Sequence, residues 1–114
     1  MNETIDKVQY ASLLYDFYAE LLNESQREVM ALYHEDNLSL SEIAEELGQS
    51  RQAVHYTLKK AEAALRTYEQ KLGLIESYEN NRKLAVEASE IIEKLGGDSN
   101  AKDRLYEIIE LLTD

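Results

Sequence analysis

Ser39-Leu-Ser-Glu-Ile-Ala-Glu-Glu-Leu-Gly-Gln-Ser-Arg-Gln-Ala-Val-His-Tyr-Thr-Leu-Lys-Lys-Ala61 decides the fold. Ser39 is placed to cap a helix, and Glu42, three residues on, can reach back to the Ser39 backbone N–H to complete a capping box. Ile43, Ala44 and Leu47 fall on one side of that helix. Gly48 stands where the chain must take a positive φ, which glycine adopts at least cost. Ser50 then caps a second helix whose inward positions are Val54, Leu58 and Ala61. A helix, a glycine corner and a second capped helix make a helix-turn-helix.

The outward side of the second helix carries Arg51, Gln52, His55, Tyr56 and Lys59. Arginine suits guanine, glutamine suits adenine, and lysine suits phosphate. Ser50 and the first-turn N–H groups could hold a phosphate at the positive end of the helix dipole. A merely solvated helix side is the plainer account of the same residues, and both are carried forward.

With these residues in hand, Leu40 to Ala61 resembles the helix-turn-helix of sigma-70 region 4. The fuller resemblance is to the YlxM family of small bacterial proteins. It is carried by Leu14-Tyr15-Asp16-Phe17-Tyr18 with Leu21-Leu22, by residues 39–47, by Ser50-Arg51-Gln52-Ala53-Val54, and by Tyr68-Glu69 with Lys71-Leu72. These segments spread over roughly residues 10–84; from about residue 85 the chain matches no family by this reading. His55-Tyr56, just after Ala-Val, departs from the family pattern. The resemblance implies a link to the signal recognition particle and its GTPase.

The 114 residues include no proline, no cysteine and only four glycines. The abundant residues are strong helix formers, so an all-α domain is expected. Without cysteine there is no disulfide framework and no thiolate metal site. The short apolar runs predict neither a leader nor a membrane span, hence a soluble cytoplasmic protein.

The net charge is −11, unusual for a protein that holds duplex nucleic acid through phosphates. Its distribution matters more than its sum. Residues 1–49 carry two basic and eleven acidic side chains, and residues 72–114 carry five and ten. Residues 50–71 carry five basic and two acidic, the one net-positive stretch. That local sign suits nucleic-acid contact, while the acidic remainder weakens non-specific attraction.

Around the motif, a first helix is expected from about Thr4 to Leu22. Ile5, Val8, Ala11, Tyr15, Tyr18 and Leu22 form one stripe, and Tyr10, Leu14, Phe17 and Leu21 a second. Asn23 with Gln26 predicts another capping box, opening a helix that buries Val29, Met30, Leu32 and Tyr33. His34-Glu35-Asp36 closes it as a turn; adjacent residues at a helix end do not converge on one metal ion. The second motif helix extends well past the motif, since Val54, Leu58, Ala61, Leu65, Tyr68, Leu72 and Ile75 recur at steps of four and three up to and across Gly73. Next comes a helix from about Leu74 to Leu95 with Leu84, Ala88, Ile91 and Leu95 inward, and with a bend expected at residues 79–83. After the loop Gly96-Gly97-Asp98-Ser99-Asn100, with Asn100 as cap, a last helix is expected to bury Leu105, Ile108, Ile109 and Leu112.

The expectation is therefore an all-α protein of about five helices. Residues 1–72 form a helix-turn-helix domain of sigma region 4-like, winged-helix-like or three-helical type, with a long recognition helix. Residues 73–114 form a C-terminal extension packing on that domain or on a partner subunit. Ser50, Arg51, Gln52, His55, Tyr56 and Lys59 would contact nucleic acid, with Lys60 and Arg66 as peripheral phosphate partners. Tyr10, Leu14, Phe17, Tyr18, Leu65, Tyr68 and Leu72 would form an interface of a homodimer. DNA is the expected partner, with the particle's RNA or its GTPase as alternatives. Neither a glycine-rich phosphate loop nor a nucleophile with a base is found, so no catalysis, cofactor or metal is expected.

Overall fold

The computed structural model describes residues 7–113. Six α-helices follow one another, with no strand among the described residues: α1 Lys7–Tyr18, α2 Glu24–His34, α3 Leu40–Leu47, α4 Arg51–Leu72, α5 Leu74–Lys94 and α6 Ser99–Thr113. The fold is all-α, built on a helix-turn-helix, and its six helices stand where the sequence pattern set them, though the overall expectation was of about five. The chain forms two compact units, the first ending at Gly73 and the second beginning at Leu74.

In the first unit, α1, α2 and α3 all pack on α4. The α4 positions Val54, Leu58, Ala61 and Leu65 are buried to within 4% of complete. Against them lie Leu14 and Tyr18 of α1, Val29 and Met30 of α2, and Ile43 and Ala44 of α3, all buried. The expected seam is thus filled as far as Leu65 by the chain itself. Beyond that point Tyr68 is half-buried and Leu72 is 54% exposed. Ile75 belongs to the next helix, because Gly73 takes a left-handed conformation (φ 62°) and ends α4.

The helix starts follow the sequence closely. Asn23 Oδ1 accepts the Gln26 N–H at 2.8 Å, and Gln26 Oε1 accepts the Asn23 N–H at 3.3 Å. Ser39 and Glu42 form the same reciprocal pair at 3.1 and 2.9 Å. The two bonds from Ser39 hold the Glu42 carboxyl below the usual carboxylate range. At the far end of α3, Gly48 (φ 65°) lets its own N–H reach the Glu45 carbonyl, while the Gln49 N–H donates to the Ala44 carbonyl at 3.0 Å. That is a Schellman closure, which satisfies carbonyls the helix would otherwise leave bare.

α1 departs from expectation. Its expected start and Ile5 lie outside the described residues. It stops at Tyr18, and a single 3₁₀ turn, Ala19–Leu21, leads to Leu22, which is extended and buried. The turn lets the chain reverse into α2, and it rotates Leu21 outward to 52% exposure. Val8 is 77% exposed, and among the described residues of the two stripes only Leu14, Tyr18 and Leu22 are fully inside. Two tyrosines fasten this corner to the far half of α4. The Tyr18 hydroxyl donates to Glu69, and the Tyr68 hydroxyl donates to the Leu21 carbonyl at 3.0 Å. Leu14, Tyr18 and Leu65, expected at a subunit interface, are core residues here and have no surface left for a partner.

In the second unit, α5 runs unbroken through residues 79–83, where a bend was expected. Arg82 explains part of this: its Nη1 donates to the Tyr78 hydroxyl at 3.1 Å, and the guanidinium lies over that ring one turn back. The buried α5 residues are Ile75 and Ile92, whereas Leu84, Ile91 and Leu95 are exposed. α6 starts at Ser99, two residues earlier than expected, because Asp98 and not Asn100 is the cap; Asp98 Oδ1 accepts the Asn100 N–H at 3.0 Å. None of the four α6 residues expected inside is fully buried.

Two outcomes follow from the α3 geometry. A Cβ at Gly48 would meet nothing within 4 Å, so the cost of a side chain there is purely conformational. Gly48→Val should lower stability by more than about 1 kcal/mol, and Gly48→Asn by clearly less, in paired thermal melts. Because the folded-state pKa of Glu42 is depressed, the capping box contributes fully above about 4.5 and loses its contribution as pH falls through the lower folded value. Glu42→Gln should therefore flatten the acid side of the melting-temperature profile.

Candidate nucleic-acid interface

A residue on α4 can present itself to a partner only if the opposite side of the helix is held. Val54, Leu58, Ala61 and Leu65 supply that hold, so the outward side is fixed in direction by the core. At 3.6 residues per turn, Gln52, Lys59 and Arg66 fall nearly in line on that side. His55 and Tyr56 flank the line within the first two turns. Arg51 and Lys60 stand at its two edges. All eight candidates, Ser50 included, are exposed.

They do not form one cluster. Arg51, Gln52, His55, Tyr56 and Lys59 occupy the first turns of α4, where a helix laid in a groove would reach base edges. Arg66 lies 14 residues beyond Gln52, about 21 Å along the axis, and could meet only a distant backbone position. The Lys60 ammonium sits 5.5 Å from the centroid of the Tyr56 ring, and Tyr56 is 64% exposed. Together they offer a flat aromatic surface backed by a positive charge.

Ser50 has a narrower role than its position suggested. Its Oγ accepts the Ala53 N–H at 3.0 Å, so the hydroxyl oxygen caps its own helix. The hydroxyl proton is still available to an incoming phosphate. Lys59 has a neighbour not weighed in the sequence: Glu62 Oε1 lies 3.5 Å from Nζ, an i,i+3 surface pair. Such a pair is worth little in water, and phosphate can displace it. The spacing of Lys59 and Glu62 was the signal available in the sequence.

His34 and Glu35 are drawn into packing. The His34 ring stacks on Tyr15 with centroids 5.4 Å apart, and Tyr33 meets it edge-on at 5.2 Å. The Tyr15 hydroxyl donates to Glu35 Oε2 at 2.5 Å; burial first, and then this carboxylate, push the phenol up to about 12. Among the described residues no three His, Asp or Glu side chains converge as metal ligands would. No helix among them is long and apolar enough to cross a membrane.

Comparison with known proteins accords with this geometry. A family model described as "UPF0122: Putative helix-turn-helix protein, YlxM / p13 like" matches residues 5–110, which includes the stretch beyond residue 85 that the sequence reading matched to nothing. A UPF0122 protein of Geobacillus kaustophilus is 41% identical over 108 residues, covering 94% of this chain and 98% of that protein. A UPF0122 protein of Bacillus cereus is 35% identical over 108 residues, covering 95% and 96% respectively.

Replacing Ser50 tests the local construction independently of any ligand. Ser50→Ala should cost about 1 kcal/mol of stability through the lost cap, read as a lower melting temperature, and Ser50→Asp should recover most of it.

Proposed function

The chain belongs to the YlxM/p13-like helix-turn-helix family, and on that footing we propose that it is a non-enzymatic, cytoplasmic regulatory protein that binds DNA through α4. One observation supports this above the others. Gln52, His55, Tyr56 and Lys59 are exposed on one side of a helix whose other side is locked into the core. Arg51 and Gln52 read bases near the helix start, and Lys59, Lys60 and Arg66 meet phosphates. Ser50 adds a hydroxyl donor at the positive end of the helix dipole. The protein acts as a homodimer, so that two recognition helices address paired half-sites. The resemblance to YlxM supports, as part of this proposal, a link to the signal recognition particle pathway.

A second reading is favoured by the net charge of −11. In it the helix-turn-helix is a scaffold, and an acidic body binds a basic partner such as the particle's GTPase; a third reading has the basic helix contact the particle's RNA instead of DNA. The readings separate experimentally. Under the DNA reading, Arg51→Ala costs about 1–3 kcal/mol on the preferred sequence and little on random sequence. Lys59→Ala weakens all sequences alike and lowers the salt slope by about 0.9. Labelled genomic fragments and the particle RNA, titrated at low salt, provide the measurement. Failure of both the DNA fragments and the particle RNA to bind below roughly 100 μM gives the scaffold reading its place.

A further inference from the structure

α5 and α6 run antiparallel. Ala85 and Ala88 share a groove with Ile109 and Thr113, and nearer the connecting loop the Tyr106 hydroxyl donates to Glu93. Each helix carries an apolar stripe that its partner in this pair does not cover. On α5 it is Leu84, Ala88 and Ile91, continued by Leu95 just past the helix end, at steps of four, three and four, with the three large residues 61%, 52% and 54% exposed. On α6 it is Leu105, Ile108 and Leu112, at 42%, 37% and 72%.

The two stripes open on the same side. Leu84 and Ala88 line one groove of about 300 Å³ together with Ile109 and Leu112. The pair therefore has one apolar side made by both helices. α6 spans 15 residues, about 22 Å, and two helices side by side are roughly 20 Å wide. A single added helix, about 10 Å across, would cover half of that width, whereas a second helix pair would cover all of it.

Charge narrows the occupant further. The residue before each stripe position, about 100° round its helix from the stripe, is charged in six cases: Lys83, Glu87, Glu90, Lys94, Arg104 and Glu107. Three are basic and three acidic, so they cancel, and Arg104 and Glu107 already pair at 3.0 Å. The other charges of residues 74–114 are two basic and seven acidic. Two chains of net −11 repel, and a side whose flanking charges cancel is where a second copy can approach. A strongly basic partner finds no net field there to draw it in.

We propose that the α5–α6 pair is the self-association surface of this protein, two copies joining apolar side to apolar side in an intermolecular four-helix bundle. The inference deepens the dimer named above and rests on that reading. It moves the contact away from the α1 and α4 aromatic residues, where Leu14, Tyr18 and Leu65 are spent in the core. Layered helix pairs with a shared apolar centre are an ordinary bundle solution.

The test uses the full chain in sedimentation equilibrium, with Ile91→Glu and Leu112→Glu as variants. Both sites are exposed, so the single chain should keep its fold, and circular dichroism confirms this for each variant. Val86→Glu is the control; Val86 is 59% exposed but lies about 200° around α5 from Leu84. The wild type should sediment at twice its 13.1 kDa chain mass. Ile91→Glu and Leu112→Glu should each weaken pairing by at least about 30-fold, while Val86→Glu pairs as the wild type does. A wild type that stays monomeric at roughly 100 μM, where a pair worth about 6 kcal/mol would be well populated, overturns the inference and the dimer together. A dimer indifferent to both substitutions, or equally sensitive to Val86→Glu, overturns the surface and leaves the dimer standing. DNA titration of the same samples keeps the fate of the binding reading separate.

Discussion

One apolar seam on α4 holds the first unit together. Val54, Leu58, Ala61 and Leu65 present a single inward line, and α1, α2 and α3 all close on it. Isolated helices as short as the 8-residue α3 are not stable in water, so α3 exists because this seam receives Ile43 and Ala44. The same burial fixes the rotation of α4 about its axis. A helix free to roll could not keep Gln52 and Lys59 aimed outward together. Packing inside and presentation outside are two sides of one constraint.

The corner at Gly48 sets how α3 enters that seam. Its left-handed conformation turns the chain in three residues, and the bonds to the Ala44 and Glu45 carbonyls close α3 without help from elsewhere. Ser50 then opens α4 on its own hydroxyl. The motif is locally self-sufficient at both ends, which is why the longer α4 can be used for other purposes beyond its third turn. There it anchors α1, through Tyr68 and Glu69.

Local chemistry was legible in the sequence, and pairing was not. Both capping boxes, the Gly48 corner, the Gly73 stop and the α4 seam are readable because each depends on residues within a few positions of one another. The early end of α1 is different: nothing in Tyr18 to Leu22 marks a 3₁₀ turn, and it arises because Leu22 must reach the core while the chain reverses into α2. Asp98 was passed over as a cap in favour of Asn100, two equally good capping types two residues apart. The stripes of α5 and α6 were read correctly as apolar, but within the single chain most of their large residues are exposed. Hydrophobic periodicity says that a side is patterned for burial and says nothing of where the covering surface comes from. At the candidate interface, the outward set on α4 was readable from period alone; Glu62 beside Lys59 was signalled by its i,i+3 spacing but not weighed, and the Lys60 ammonium over the Tyr56 ring needed coordinates.

The tyrosine fastenings bear on how the first unit folds. Tyr18 and Glu69 are 51 residues apart in the chain, and Tyr68 and Leu21 are 47 apart. The contacts of α3 with α4 close over far shorter loops and can form early, at small entropic cost. α1 can fasten only once both halves of α4 are in place. Contacts made that late contribute chiefly to the barrier against unfolding and little to the speed of folding. The two hydroxyls thus act as a latch on the lifetime of the folded state, and the motif beneath them is free to assemble at its own pace.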